Sequence, residues 1–262
     1  MLHTAIRAAR MAGRTIIYAA NNDTALTVHS KDRHDFVTQI DQKCESMIIE
    51  ILHQAYPNHN FLGEESGETT NSNSAYTWVI DPLDGTTNFI HKFPMVAVSI
   101  ALQINGQTEL AVVYNPFTQD LFTAEKGRGS LLNERRIRVN DTLKMDSAFV
   151  TAMVPKGEIF IPEYESYYAK LQLQCAGVRR SGSCALDLAY VASGTFDAFW
   201  TAGPKPWDLA AGMLLVQEAG GQISFLDNEV KNGFPVNGAL LASNFKLTKE
   251  LLPILKSYYQ AG

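Results

Sequence analysis

Two aspartates separated by two residues follow a short apolar segment in WVIDPLDGTTNFI, residues 78–90. The apolar residues 78–80 predict a buried strand that delivers Asp81 from the interior, and Pro82 restricts the backbone so that Asp84 can turn toward the same point. Two carboxylates that face one cavity could hold a divalent cation. Asp-Pro and Asp-Gly are also common turn pairs, so a simple strand-ending turn is the alternative.

Two further acidic residues could join this pair. Glu64 follows an apolar segment and a glycine in FLGEESGE, and Asp208 precedes a long apolar helix in PWDLAAGMLLVQEAGG. The alternative for Glu64 is a solvated acidic loop. The alternative for Asp208 is an N-cap, in which its side chain accepts from the free amides of the first helical turn. A cap needs one carboxylate oxygen, so capping and metal binding are compatible.

Convergence of Glu64, Asp81, Asp84 and Asp208 would require cations. Two carboxylates ~4 Å apart repel by about 4 kcal/mol at an effective dielectric constant near 20. A ligand set of carboxylates without His or Cys selects hard ions, so Mg²⁺ is expected, with Mn²⁺ as a chemical substitute. Two such ions can clamp the attacking and leaving oxygens of a phosphoryl group. The sequence therefore favours metal-assisted chemistry on a phosphate ester.

The elements that must position these residues alternate irregularly. Periodicity predicts helices over residues 2–16, 41–55, 184–192 and 209–219, and strands over 76–80, 95–104, 110–114, 120–124, 196–200 and 222–226. Asn105-Gly106 predicts the turn of a hairpin. This order favours a mixed α+β fold in which helices are layered on a mixed or antiparallel sheet.

Composition restricts the kind of protein and its partners. A chain of 262 residues that is 46% hydrophobic predicts a single domain over residues 1–262, and a net charge of -5 disfavours a broad contact with nucleic acid. Three widely spaced cysteines without a Cys-x-x-Cys pair indicate neither a disulfide framework nor a zinc site, so a cytoplasmic location is expected. The sequence contains no run of 18 apolar residues, so neither a membrane span nor secretion is expected.

The motifs together resemble the inositol monophosphatase family, which comprises Mg²⁺-dependent, lithium-sensitive phosphatases. WVIDPLDGTTNF, GEES and WDLAAGMLLVQEAGG carry the resemblance, with DFVTQIDQK at 35–43 and RRSGSCALDLAYVASG at 179–194 in the family's order. The resemblance implies a layered α-β-α-β-α fold like that of fructose-1,6-bisphosphatase. It also implies hydrolysis of myo-inositol 1-phosphate or related small phosphates, and a homodimer to which residues 95–114 could contribute.

The resemblance also assigns metal ligands. Glu64, Asp81 and the backbone carbonyl of Leu83 would hold the first Mg²⁺, and Asp81, Asp84 and Asp208 would hold the second. A third, weaker ion would also contact Glu64. The attacking nucleophile implied by the family is a water molecule activated by the metal.

Catalytic and substrate-binding residues follow from the same likeness. Glu64 and Thr86 would polarise the water, with Asp41 as the acceptor that supports Thr86. The amides of Gly85 and Thr86 would receive phosphate oxygens. Turn formation is the alternative for Thr86, and N-capping of its helix is the alternative for Asp41. The remaining substrate contacts would come from Asp84, Gly182, Ser183, Cys184 and Asp208.

One residue departs from the family pattern. Members that prefer inositol phosphate carry a glutamate seven residues before the metal-binding aspartate, where this chain has Thr201. A carboxylate makes charge-assisted hydrogen bonds to hydroxyls, so its absence should weaken selectivity for the polyol ring rather than the phosphate chemistry. Lys31, Arg33 and Lys205 either attract an anionic substrate or form ordinary solvated surface.

Two other classes of protein are alternatives. A regulatory protein of the same fold would act through protein or RNA contacts, as in transcription antitermination, and the basic residues 135–138 would suit RNA or RNA polymerase. Phosphate release measured with and without Mg²⁺ separates this alternative from an enzyme. A haloacid-dehalogenase-like phosphatase would attack through an aspartate, but it uses aspartates two apart, whereas Asp81 and Asp84 are three apart.

Overall fold

The structure is a computed structural model that describes residues 1–22, 28–32, 35–70, 74–153, 168–169, 171–226 and 229–259. Residues 28–32, 35–38 and 257–259 are described by their backbone alone. Within these ranges, no helix combines the length and apolar character needed to cross a membrane.

Helices and strands alternate irregularly along the chain, as the sequence predicts. The helices of the described ranges include α1 (Leu2–Asn21), α2 (Gln39–Ala55), α3 (Thr86–Ile90), α4 (Cys184–Ala192), α5 (Pro206–Glu218) and α6 (Phe245–Tyr259). The strands are β1 (Val28–Asp32), β2 (Asp35–Thr38), β3 (Asn60–Gly63), β4 (Gly67–Thr69), β5 (Tyr76–Asp84), β6 (Ala97–Ile104), β7 (Gln107–Asn115), β8 (Asp120–Glu125), β9 (Gly129–Leu132), β10 (Arg135–Arg136), β11 (Phe149–Met153), β12 (Gly177–Arg179), β13 (Ala198–Thr201), β14 (Gln222–Phe225), β15 (Val230–Lys231), β16 (Phe234–Pro235) and β17 (Leu240–Ser243).

Two large mixed sheets organise these strands. The first has eight strands in the order β10-β9-β8-β7-β6-β5-β3-β4, in which β3 and β5 are parallel and the other neighbours are antiparallel. The second has five strands in the order β12-β11-β13-β17-β14, with β11 parallel to both of its neighbours. Two small antiparallel pairs, β1-β2 and β15-β16, complete the described strands.

The elements stack in five layers of alternating helices and sheets. Helices α1 and α2 pack on one face of the eight-stranded sheet, and α4 and α5 lie between its other face and the five-stranded sheet. Helix α6 covers the outer face of the five-stranded sheet. Buried apolar clusters fill the spaces between these layers. The predicted mixed α/β fold with α-β-α-β-α layering is therefore confirmed.

The two faces of the eight-stranded sheet carry side chains of different size. In β6, Ile100 and Leu102 pack toward α1 and α2, whereas Ala97 and Ala101 pack toward α4 and α5. The alternation follows from the two-residue repeat of a strand. Ser99 lies on the same face as the alanines, and its hydroxyl donates to the carbonyl of Trp207 in α5 (3.3 Å). Helix α5 therefore begins close to β5 and β6.

Most predicted elements are confirmed, with small shifts at their ends. The strand predicted over 95–104 begins at Ala97, and the one predicted over 196–200 spans Ala198–Thr201. Asn105 and Gly106 form the predicted hairpin turn, both with the positive φ of a type I′ turn (51° and 77°). The three cysteines are free, as predicted.

The strands proposed for a dimer contact lie at the centre of the eight-stranded sheet. Residues 95–114 contain β6 and most of β7, which lie in the middle of the eight-stranded sheet, and seven of the eight β6 residues are buried. Helices cover both faces of these strands. Most residues of these two strands are therefore buried within this chain.

Candidate metal site

A bulge in the β5-β6 ladder orients the two aspartates of β5. Asp81 lies opposite Ser99 and Asp84 lies opposite Ala97, so three steps on β5 match two steps on β6. Residues three apart on a regular strand point to opposite faces, but the extra residue of a bulge returns the second side chain to the face of the first. Pro82 fits a bulge because it has no N–H to donate to the ladder. Both aspartates therefore face α4 and α5.

Asp208 reaches the same place from the start of α5. The helix begins at Pro206 and its N-cap residue is Lys205, so Asp208 is the third residue of the helix. Its Oδ2 accepts the backbone N–H of Lys205 (2.6 Å), as the acidic residue of a capping box does. The prediction of Asp208 as the N-cap is therefore wrong by position. Its side chain still fixes the entry to the helix.

Three carboxylates meet where β5 ends and α5 begins. Among the described residues, Asp81, Asp84 and Asp208 each offer an oxygen such that the three oxygens lie within 4.8 Å of one another. Asp81 Oδ1 accepts from the Leu83 N–H (3.0 Å). Asp84 Oδ2 accepts from the Ser183 hydroxyl (2.6 Å) and the Ala185 N–H (2.7 Å). These bonds fix the orientation of each carboxylate relative to the others.

Glu64 lies beside this group, directly after β3. Strand β3 runs parallel to β5 with Gly63 opposite Ile80, and the Glu64 N–H donates to the Ile80 carbonyl (3.2 Å). This register places Glu64 next to Asp81, and its charge raises the pKa of both Asp81 and Asp208. The three oxygens within 4.8 Å do not include one from Glu64. The four predicted acids are thus brought to one region of the fold.

Burial and mutual repulsion disfavour the simultaneous ionisation of these carboxylates and raise their pKa values. Burial raises the pKa of Asp81 well above its ordinary value, and the charges of Glu64, Asp84 and Asp208 raise it further. Burial and repulsion from Asp84 raise the pKa of Asp208 to about 8. A hard divalent ion would remove this repulsion, and the donor set consists of the oxygen ligands that such ions prefer.

Thr86 links the end of β5 to α2. Its hydroxyl lies 2.9 Å from Asp41 Oδ1 and 3.2 Å from the carbonyl oxygen of Leu83. Helix α2 begins at Gln39, so Asp41 lies inside its first turn and the prediction of Asp41 as the N-cap is wrong. The buried Asp41 instead accepts a hydrogen bond from the loop that follows β5.

Gly85 allows the segment after β5 to approach the segment before α4 closely. Gly85 has a φ of 95°, in the left-handed region, and a Cβ there would lie 2.8 Å from the Met95 carbonyl and 3.4 Å from that of Gly182. Asn88 donates to the carbonyls of Met95 (2.7 Å) and Ser181 (2.9 Å). The predicted phosphate-binding and polyol-binding segments are thus neighbours.

Ser183 and Cys184 are buried at the start of α4. The Ser183 hydroxyl accepts from the Leu186 N–H (3.4 Å), as an N-cap does, and donates to Asp84. Burial raises the pKa of the Cys184 thiol well above its ordinary value, and the charge of Asp208 adds to this. The thiol is therefore protonated at neutral pH and is unsuited to nucleophilic attack.

The other residues considered from the sequence lie around this group or outside the described ranges. Thr201 is buried in β13, and its hydroxyl has no hydrogen-bond partner among the described residues. Lys205 is exposed beside Asp208. Arg33 and the side chain of Lys31 lie outside the described residues. The basic run 135–138 begins in β10, on an exposed hairpin at the edge of the eight-stranded sheet.

The sequence did not reveal two buried acids near the site. Glu45 in α2 accepts the N–H groups of Glu65 (2.9 Å) and Ser66 (2.7 Å). Asp187 in α4 is buried, and burial raises its pKa to about 8, partly opposed by the hydroxyls of Ser181 and Thr151. An acidic residue within the apolar face of a helix was the signal available in both cases.

Comparisons with known proteins agree with this geometry. The sequence pattern of the inositol monophosphatase family matches residues 1–260. The Nus factor SuhB of Pseudomonas aeruginosa is 44% identical over 263 residues, which cover 98% of this chain and 96% of that protein. The extragenic suppressor protein SuhB of Bartonella henselae has a crystal structure with a TM-score of 0.90 and 37% identity, and 97% of each chain is covered.

A further similar solved structure is that of a protein named inositol monophosphatase. The inositol monophosphatase of Anabaena (Nostoc) sp. superimposes with a TM-score of 0.82 at 35% identity, over 99% of this chain and 94% of that chain. The family match and these relatives extend over nearly the whole sequence. On this evidence, the chain belongs to the inositol monophosphatase family.

Proposed function

We propose that the protein is a Mg²⁺-dependent phosphomonoesterase that hydrolyses myo-inositol 1-phosphate or related small polyol and sugar phosphates to the alcohol and inorganic phosphate. The observation that carries this proposal is the group formed by Asp81, Asp84 and Asp208, whose oxygens lie within 4.8 Å of one another. Membership of the inositol monophosphatase family supports the same reaction.

The donor set fits magnesium, with Mn²⁺ as a chemical substitute. Glu64, Asp81 and the Leu83 carbonyl would hold one ion, while Asp81, Asp84 and Asp208 would hold another. A third ion would contact Glu64. Bound Mg²⁺ would supply Lewis acidity and neutralise charge that develops on the phosphoryl oxygens. The hydrogen bonds to Asp81, Asp84 and Asp208 fix their orientation before any ion arrives, which favours binding without rearrangement.

Thr86 and Glu64 would orient the water molecule that attacks phosphorus. The Thr86 hydroxyl lies 2.9 Å from Asp41 Oδ1, so a proton that leaves the water can pass through Thr86 to that oxygen. Asp41 is buried and thus protected from bulk solvent. These three residues would act as the catalytic group, with the attacking oxygen held on the same side of the phosphate as Glu64.

The phosphate oxygens would bind at the start of α3. Gly85 and Thr86 form its first turn, where backbone N–H groups have no partner within the helix. A side chain at position 85 would meet the Met95 carbonyl, so glycine permits the close packing of this turn against residue 95. The alcohol portion would lie toward Asp84, Asp208 and the segment Gly182, Ser183 and Cys184.

Selectivity for the alcohol is expected to be broad. Thr201 offers one neutral hydroxyl where a carboxylate would bind polyol hydroxyls strongly. We therefore expect several small phosphates to be hydrolysed at comparable rates. A panel of inositol 1-phosphate, glycerol 2-phosphate, fructose 1,6-bisphosphate and 3′-phosphoadenosine 5′-phosphate would define the substrate.

A phosphate-release assay with Mg²⁺ and with EDTA tests the proposal. Release from at least one of these substrates that depends on Mg²⁺ and is absent in Asp84→Asn supports it. Absence of metal-dependent release from the whole panel would refute it. A phospho-aspartate trapped at Asp81 would instead indicate the covalent mechanism of haloacid-dehalogenase-like phosphatases.

A second function is supported by the names of the relatives. SuhB of Pseudomonas aeruginosa and of Escherichia coli, each 44% identical to this chain, are named Nus factors. Arg135, Arg136 and Arg138 are exposed and offer a basic strip for RNA or for RNA polymerase. Replacing the three arginines by glutamine should abolish binding to RNA or polymerase and leave phosphatase activity unchanged. Unaltered binding in that variant would exclude the strip.

Four further properties belong to the same proposal. Residues 1–262 would act as one catalytic domain, which is supported by an apolar cluster that includes side chains of both large sheets. Lithium inhibition, a cytoplasmic location and a homodimer are expected from family membership. Sedimentation at equilibrium, and activity measured against lithium concentration, test the dimer and the inhibition.

A further inference from the structure

Two buried acids on one face of α2 contact the two loops beside the carboxylate group. Asp41 and Glu45 are four residues apart, about one helical turn, and are 1% and 2% exposed. Asp41 accepts from Thr86, the first residue after the β5-α3 loop, and Glu45 accepts from Glu65 and Ser66, in the loop after β3. One rigid helix thus holds both loops.

Glu45 contacts the backbone on each side of Glu64. Its Oε2 accepts the Glu65 N–H (2.9 Å) and its Oε1 accepts the Ser66 N–H (2.7 Å), so both carboxylate oxygens have a backbone donor. A Cβ on Gly63 would lie 2.6 Å from the Glu45 carboxyl carbon. Glycine at position 63 therefore lets the carboxylate enter the loop.

A further backbone hydrogen bond of this loop points to the metal site. The Glu64 N–H donates to the Ile80 carbonyl, immediately before Asp81. Residue 64 is thus held by β5 through its own amide and by Glu45 through the next two amides. A buried carboxylate lowers stability unless its oxygens are hydrogen-bonded. The two backbone N–H groups of the loop supply these bonds to Glu45, so the carboxylate and the loop fix each other.

We propose that Glu45 is a positioning residue that fixes the loop 63–66 and thereby holds Glu64 in place to bind a divalent cation beside Asp81. The inference rests on the proposed function in that Glu64 is taken as a metal ligand. Its consequence is that Glu45 contributes to metal affinity without touching the metal. A residue that only stabilises the fold would lower stability and leave metal affinity unchanged.

Magnesium binding by the full chain, measured by calorimetry after removal of metal with EDTA, tests this role. Glu45→Gln retains the shape but places an amide NH₂ against a backbone N–H, so it should weaken Mg²⁺ binding by about 10- to 100-fold. Glu50→Gln is the matched control, because Glu50 lies on the exposed side of the same helix. This control should bind Mg²⁺ as the wild type does.

A double-mutant cycle with Glu64→Gln identifies the path of the effect. If Glu45 acts through Glu64, then adding Glu45→Gln to Glu64→Gln should change Mg²⁺ affinity by less than about twofold. Gly63→Ala supplies a second approach, because its methyl group displaces the Glu45 carboxylate without altering either acid. It should reproduce the loss of affinity even if a Glu45 variant fails to fold.

Two results would overturn the inference. One is Mg²⁺ affinity within about twofold of wild type in Glu45→Gln and Gly63→Ala, and the other is an equal loss with and without Glu64. The inference and the proposed function fail separately. Wild-type protein that binds Mg²⁺ but releases no phosphate refutes the enzyme alone, whereas wild-type protein that binds no Mg²⁺ refutes both.

Discussion

The Thr86 hydroxyl donates a hydrogen bond to Asp41 Oδ1 (2.9 Å), although the two residues are 45 positions apart in the sequence. The bond joins the first residue of α3 to the first turn of α2, next to the end of β5. It gives the hydroxyl a defined direction and provides a buried carboxylate that can receive a proton.

Asp41→Asn should reduce turnover while substrate binding is nearly unchanged. The amide oxygen of asparagine can still accept the Thr86 hydroxyl, but an amide cannot take up the proton, and loss of such a group costs about 10²- to 10⁴-fold in rate. Steady-state kinetics should show a fall in kcat at constant KM. Asp120→Asn is the control, because Asp120 accepts a hydrogen bond from the Thr118 hydroxyl on the surface (2.7 Å). Equal kcat in the two variants would contradict the role of Asp41.

Asp84→Asn and Asp208→Asn should each lower Mg²⁺-dependent phosphate release by at least about 100-fold. Each change removes a charged ligand and leaves the size of the side chain nearly the same. Circular dichroism should show an intact fold, because neither carboxylate packs in an apolar cluster. Asp141→Asn, at an exposed position, serves as the control. Wild-type turnover in either ligand variant would exclude it as a metal ligand.

Ser183→Ala should affect both α4 and the metal site. The hydroxyl caps α4 by accepting from Leu186 and donates to Asp84 Oδ2. Loss of the cap should lower the free energy of unfolding by about 1 kcal/mol, and loss of the bond to Asp84 should weaken Mg²⁺ binding about 10-fold. Chemical denaturation and calorimetry measure these effects. Ser193→Ala, at the other end of the same helix, should leave Mg²⁺ affinity unchanged.

Magnesium should stabilise the folded protein. The pKa of Asp208 is raised to about 8 by burial and by Asp84, and a cation relieves this repulsion only in the folded state. Saturation at 100 times the dissociation constant should add about 2.7 kcal/mol to the free energy of unfolding. Thermal unfolding in Mg²⁺ and in EDTA measures the difference. Asp84→Asn should show a much smaller shift, and an equal shift in that variant would indicate binding elsewhere.

Asp187 should make stability fall as pH rises. Its folded pKa of about 8 exceeds the ordinary value of 3.8 because the carboxyl group is buried, so between these values the folded chain keeps a proton that the unfolded chain releases. The free energy of unfolding should therefore decrease by about 1.4 kcal/mol per pH unit from this group. Asp187→Asn should remove that slope, as measured by urea unfolding in EDTA from pH 5 to 7.

The control for this titration is Asp146→Asn, at an exposed position. It should retain the pH slope of the wild type. If Asp187→Asn and the wild type lose stability with pH in parallel, the Asp187 carboxyl does not carry a proton in the folded state.

The sequence predicted which acids gather, but not how β5 brings them to one face. Residues three apart, such as Asp81 and Asp84, lie on opposite faces of a regular strand, so only the bulge opposite β6 makes the pair effective. Periodicity locates a strand and does not reveal an extra residue within it. The position of Asp208 was also misjudged, since Pro206 moves the start of α5 two residues earlier than the aspartate.

Long-range partners explain the acids that the sequence did not reveal. Glu45 bonds to residues 20 and 21 positions later, and no local pattern specifies such a pair. Its neighbours Cys44 and Ile48 identify the buried face of α2, which makes an acid there unusual. The layered fold, by contrast, could be anticipated because whole motifs occur in the family's order.

The position of α5 between the two large sheets has a consequence for the chain as it leaves the ribosome. Glu64, Asp81 and Asp84 are synthesised early. Asp208 emerges only after β11, β12 and β13, three of the strands in the five-stranded sheet. Prematurely terminated polypeptides that end before α5 therefore lack Asp208, one of the three grouped carboxylates. On the proposed function, such truncated products should release no phosphate, because the group of three carboxylates is complete only once Asp208 has been added.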